Sequence, residues 1–125
     1  MTVTVDWFDH HQHILHIRII GNVTADELIH AAIEANDLSA HLPHTIHRIF
    51  DFTRAQPTLP KQLLHKLRGY IRHQPANVGK IYLVGLRTKG LMFAKIVQSM
   101  RLPQLRQLRI VNTLAQVQDD LAIPE

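Results

Sequence analysis

Apolar and polar residues alternate along this chain with two different periods, and the switches between them predict its elements. Residues 2–8 alternate, with Val3, Val5 and Trp7 on one face, and after a polar turn at residues 9–12 the alternation resumes over residues 14–20. There Leu15, Ile17 and Ile19 share one face while His16 and Arg18 share the other. Two alternating runs joined by a short polar turn predict a β-hairpin. Gly21 and Asn22 break the second strand, and Thr24-Ala-Asp-Glu27 has the spacing of a capping box. A helix is expected over residues 25–36, with Leu28, Ile29, Ala32 and Ile33 inward and Asp26, His30 and Glu34 in water, the last three placing His30 in a surface ion pair.

The second half repeats the alternation of strand and helix. Residues 47–52 read as a strand, residues 54–59 as a loop, and Pro60 suits the first turn of a helix running to about residue 73. Leu63, Leu64, Leu67 and Ile71 form its apolar stripe. A strongly apolar run at residues 80–86 predicts a central strand. Thr88 is placed to cap the next helix, whose inward stripe is Met92, Phe93, Ile96, Val97 and Met100. Residues 108–111 make the last strand, and Thr113-Leu-Ala-Gln116 opens a final helix with Leu114, Val117 and Leu121 inward. The predicted order is ββαβαβαβα, an α/β fold with a mixed, mostly parallel sheet and helices on both faces. A length of 125 residues fits a single domain over residues 1–125.

Charge changes this picture. Residues 52–118 contain no Asp or Glu, yet hold 12 of the 14 Lys and Arg residues, so a net charge of +4 conceals a +12 block beside a −8 remainder. Segregation on this scale orients the field of the molecule and favours anionic partners on one side. Cysteine is absent, which excludes disulfides, thiolate metal sites and cysteine nucleophiles. No apolar run approaches the roughly 18 residues that span a bilayer, and the start lacks the pattern of a secretory signal. A cytoplasmic location is expected.

The chain resembles the SpoIIAA-like, or STAS (STAS/SEC14-like), domain family. The resemblance covers residues 3–122 and rests on Trp7, on Ile14-Leu-His-Ile-Arg-Ile-Ile-Gly21 running into Val23-Thr-Ala-Asp-Glu-Leu28, on Ile49-Phe-Asp-Phe-Thr53, and on Val111-Asn-Thr-Leu-Ala115. It implies a single-domain SpoIIAA-like sandwich with sheet order 3-2-4-5. The family's anti-sigma factor antagonists carry a regulatory serine at the start of the helix after the third strand. Here that stretch reads Gln56-Pro-Thr-Leu-Pro60, so serine phosphorylation is not carried over, and Thr58 is the hydroxyl that would replace it, between prolines that disfavour the role.

With that sheet order the first and fourth helices cover one face and the second and third the other. The face of the first and fourth then carries Asp26, Glu27, Glu34, Asp37, Asp119 and Asp120. The opposite face carries the basic residues Lys61, Lys66, Arg68, Arg72, Lys89, Lys95 and Arg101. The crossovers diverge between the second and fourth strands, and ligands of open α/β sheets bind at strand ends beside such a point. The residues there are Gly21, Asn22, Thr53, Arg54, Gly85, Arg87, Thr88, Lys89 and Gly90, a candidate site for a phosphate or carboxylate. The same residues also make an ordinary turn, a capped helix and solvated cations.

Ten histidines raise the question of a metal, but His10, His11 and His13 in the hairpin turn and His41, His44 and His47 before the third strand lack a helical His-Glu-x-x-His arrangement. No metal and no cofactor are expected. The serines, Ser39 and Ser99, lie outside any Gly-x-Ser-x-Gly elbow, and Asp51, without a visible carboxylate partner, is expected to order the loop after its strand. No catalytic residue is therefore assigned. The preferred expectation is a non-catalytic STAS-like regulatory or interaction module that binds an acidic protein surface or a small anionic or lipid-like ligand, with opposed charged faces that would permit homo-oligomers. The alternative is nucleic-acid binding through the basic second and third helices, which electrostatics allows but no base-reading motif supports.

Overall fold

The computed structural model describes residues 2–56, 62–71, 74–99, 101, 103 and 106–121. Its elements run β1 (Thr2–Trp7), β2 (Ile14–Gly21), α1 (Ala25–Ala40), β3 (Ile46–Ala55), α2 (Leu63–Ile71), β4 (Val78–Val84), α3 (Thr88–Ser99), β5 (Leu108–Val111) and α4 (Leu114–Leu121). The element order is the expected one. Among the described residues no helix is long and apolar enough to cross a membrane.

The strands lie in the sheet in chain order, β1-β2-β3-β4-β5, and not in the order 3-2-4-5. β1 pairs antiparallel with β2 from Thr2↔Ile20 to Trp7↔Leu15, while β2, β3, β4 and β5 pair in parallel. This corrects the expected distribution of helices. Strands added one after another to the same edge, through crossovers of one hand, place every crossover helix on the same face. Accordingly, Leu15, Ile17, Ile19 and Ile46 pack with Leu28, Ala31 and Ala35 of α1 and Leu63 of α2, and Ile81 and Leu108 pack with Val97 of α3. Only α4 folds onto the other face, where Val117 meets Ile14, Ile49, Tyr82 and Val84, with Leu114 and Leu121 beside it.

One acidic and one basic face therefore do not form. The acids of α1 share a layer with the cations of α2 and α3, and Lys66 forms an ion pair with Asp26 across that layer. His30 is exposed, and the partner of Asp26 is Lys66 instead. On the opposite face Asp120 of α4 accepts from Lys80 at 3.4 Å. β4 is fourth of five strands rather than central.

Both capping boxes form. Thr24 Oγ1 accepts from the Glu27 amide at 3.1 Å while Glu27 Oε1 accepts from the Thr24 amide at 3.0 Å. Thr113 Oγ1 accepts from the Gln116 amide at 3.3 Å, and Gln116 Oε1 returns the bond to the Thr113 amide at 3.2 Å. Thr88 is the first helical residue of α3 rather than its cap, for the Leu91 amide donates to the Arg87 carbonyl at 2.8 Å. Helix stripes differ from expectation in phase. Ile33 is 48% exposed, Met92 61% and Ile96 50%. Small residues face the sheet in their place, Ala31, Ala32 and Ala35 in α1 and Gly90 and Ala94 in α3. The side chains of Leu64 and Ile71, and Met100 altogether, lie outside the described residues.

Candidate functional site

The layer of α1, α2 and α3 does not close tightly on the sheet. A cavity of about 150 Å³ lies between them, walled by Ile19, Phe50, Phe52, Ile81 and Leu83 from the strands and by Leu28, Ile29, Leu67, Phe93 and Val97 from the helices. The packing explains it: Ala32 and Ala94 line the cavity where longer side chains would fill it. The polar side chains on its wall are those of Gln56, Tyr70, Gln74 and Arg87. An apolar cavity of about this volume stays dry and holds a benzene-sized molecule, whereas drug-sized ligands occupy roughly 300–1,000 Å³. The site suits a small hydrocarbon group or the end of a longer chain.

Several residues singled out from sequence gather at the carboxy-terminal pole of the sheet, although the sequential strand order leaves no divergence of crossovers between β2 and β4. Gly21, Gly85, Arg87 and Gly90 line the cavity at this end. Gly85 has φ of +75°, and a Cβ there would meet the Thr53 backbone at 3.0–3.1 Å, so both conformation and space demand glycine. The Gln56 amide donates to the Gly21 carbonyl at 2.9 Å, tying β3 to the end of β2. Asn22, Thr53, Arg54, Arg87 and Thr88 are exposed. The Lys89 side chain lies outside the described residues. So do Lys61, Arg72 and Thr58 as whole residues and Arg68 as a side chain. Of the remaining basic residues, Lys95 and Arg101 are exposed and Lys66 is engaged with Asp26.

Toward the opposite end of the cavity stands a residue that the sequence reading passed over. Arg48 of β3 is 0% exposed. Its Nη1 donates to Tyr70 Oη at 2.8 Å and its Nη2 to Asn36 Oδ1 at 2.7 Å, while Nε has no partner among the described residues. Tyr70 in turn lies 3.1 Å from the Ala32 carbonyl and 3.0 Å from Asn36 Oδ1, either of which its hydroxyl can donate to. Asn36 and Tyr70 lie near the carboxy-terminal ends of α1 and α2, whose partial negative charge offsets part of the cost of burying a cation. No carboxylate among the described residues pairs with Arg48. Alternation could have exposed it: Ile46, Arg48, Phe50 and Phe52 share the face of β3 that turns to the helices.

The other face of the sheet holds polar pairs that fasten elements. His16 Nε2 lies 2.9 Å from Asp51 Oδ2, and the Thr53 amide donates to Asp51 Oδ1 at 3.0 Å, the local ordering expected of Asp51. Burial pushes the Asp51 carboxyl upward, but hydrogen bonds from Thr53 and His16 outweigh it and hold the group below the usual aspartate range. Tyr82 hydrogen-bonds Asp120, and burial followed by that bond raises its phenol well above the ordinary value. The Asp120 carboxyl is held low, chiefly by the same bond. His47 Nδ1 accepts the Lys80 amide at 2.9 Å, and burial, then Lys80 and His13, lower its pKa. The two histidine groups do meet, with the rings of His13 and His44 4.6 Å apart, but among the described residues no three His, Asp or Glu side chains converge as a metal site. No protein-family model matches the chain, and no curated protein matches it.

Proposed function

We propose that this chain is a non-catalytic STAS-like module that binds a small, lipid-like anionic ligand between its sheet and its three-helix layer. One observation carries the reading: the cavity of about 150 Å³ is walled almost wholly by apolar side chains. A well-packed core of this size leaves few voids larger than a water molecule. Filling such a space with hydrocarbon removes apolar surface from water at about 25 cal/mol per Å². The expected element order supports the family reading, while the sheet order departs from the one the resemblance implies. The basic block supports the anionic character of the ligand through long-range attraction.

Titration of methyl-labelled protein with 1-hexanol tests the cavity itself. Saturable shifts are expected at Ile29, Leu67, Ile81, Leu83 and Val97, with Leu121 of α4 unmoved. Shifts spread evenly over both faces, or none at all, would contradict the proposal.

A further inference from the structure

We infer that Arg48 is the anion receptor of this site, so that the ligand is a carboxylic acid with a small apolar body, held carboxylate inward. The inference rests on the proposed use of the cavity and adds its chemical class and polarity. Three observations carry it. Arg48 is fully buried and no acid among the described residues pairs with it. Its Nε–H is left without a partner, a rare state for a buried polar group. The hydroxyl that receives its Nη1, that of Tyr70, belongs to a side chain on the cavity wall, and Phe50, two residues along the same face of β3, also lines the cavity.

Relative strength decides between the two cations at hand. Arg87 is exposed, and ion pairs in water are weak. Arg48 has already lost its hydration in the fold, so a carboxylate arriving there meets a desolvated guanidinium with a free N–H, and a charge-assisted bond forms with little further cost to the protein. The ligand must shed its own hydration, which confines the preference to acids whose apolar body fits the cavity.

Calorimetric titrations of hexanoate and 1-hexanol at pH 7 against the full chain test this, because the two share a hydrocarbon body and differ at the polar end. Hexanoate is expected to bind about tenfold more tightly, the worth of one charge-assisted hydrogen bond. Arg48→Met should bring hexanoate down to the hexanol level, and Arg48→Lys should keep part of the preference. In unmodified protein labelled at arginine Nε, the Arg48 resonance should move on adding hexanoate and stay with hexanol, a readout independent of any variant's folding. Equal binding of the two probes overturns the inference and leaves the cavity proposal standing. A preference that survives Arg48→Met but vanishes in Arg87→Met overturns it in favour of the exposed end. Binding of neither probe overturns both.

Discussion

Arg48 concentrates the physical tension of this molecule in one side chain. A buried charge with neutral partners is costly, and exchange of buried ionic groups for apolar ones of similar size is often neutral or stabilising. Removing it strands no partner, because Tyr70 can still donate to the Ala32 carbonyl or to Asn36. Arg48→Met is therefore expected to leave stability unchanged or raise it by up to about 2 kcal/mol in urea unfolding. A loss of that size would show that the helix ends, rather than a ligand, are the reason for the cation. His47 gives a second test at this scale. Burial lowers its pKa, so the unfolded chain takes up a proton near the ordinary 6.5 while the folded chain does so only at lower pH. Its contribution is complete above pH 6.5 and is lost as pH falls from there through the folded value. His47→Asn supplies an acceptor to the Lys80 amide without a titrating ring, so chemical unfolding measured across this window should lose part of its pH slope. An unchanged slope would contradict the assignment. Space around the ring is tight as well, since a Cβ on Gly79 would approach His47 Nδ1 to 2.6 Å.

At the scale of elements, strands and caps were legible because their rules are local. Alternation identified the β1–β2 hairpin, β5 agrees at both ends, and both capping boxes make their reciprocal bonds. Helix faces were harder. Large apolar residues suggested the inward stripe of α3, yet Met92 and Ile96 point outward and Gly90, Ala94 and Val97 lie against the sheet. A helix resting closely on strands that carry Phe and Tyr has room for small side chains at the contact, so size and burial part company. A Cβ on Gly90 would come within 2.7 Å of Leu86. The double variant Met92→Gln, Ile96→Gln should consequently change unfolding free energy by less than about 1 kcal/mol, as expected for two surface substitutions. A loss of several kcal/mol, the scale of emptied core positions, would contradict the exposed placement.

For the whole molecule, sheet order decides what charge can do. Chain-order strands put α1, α2 and α3 in one layer, so the acids of α1 flank the basic helices and one of the cations there, Lys66, is engaged. Charge counts along the sequence could not show this, because neutralisation across a layer depends on which helices become neighbours. The pole with Gly21, Gly85, Arg87 and Gly90 was legible from turns and glycines. The cavity was not, since a void arises from the sizes of residues far apart in sequence that meet only in the fold, here Ala32, Phe50 and Ala94. Burial of Arg48 has the same origin: its strand position gives its direction, while its enclosure comes from α1 and α2. The most direct measurement is a crystal structure of the full chain soaked with hexanoate. Hydrocarbon density between the sheet and the three-helix layer, with the carboxylate in hydrogen-bond reach of Arg48, is the predicted result. Side chains closing that space, or hexanoate bound only outside it, would contradict the account.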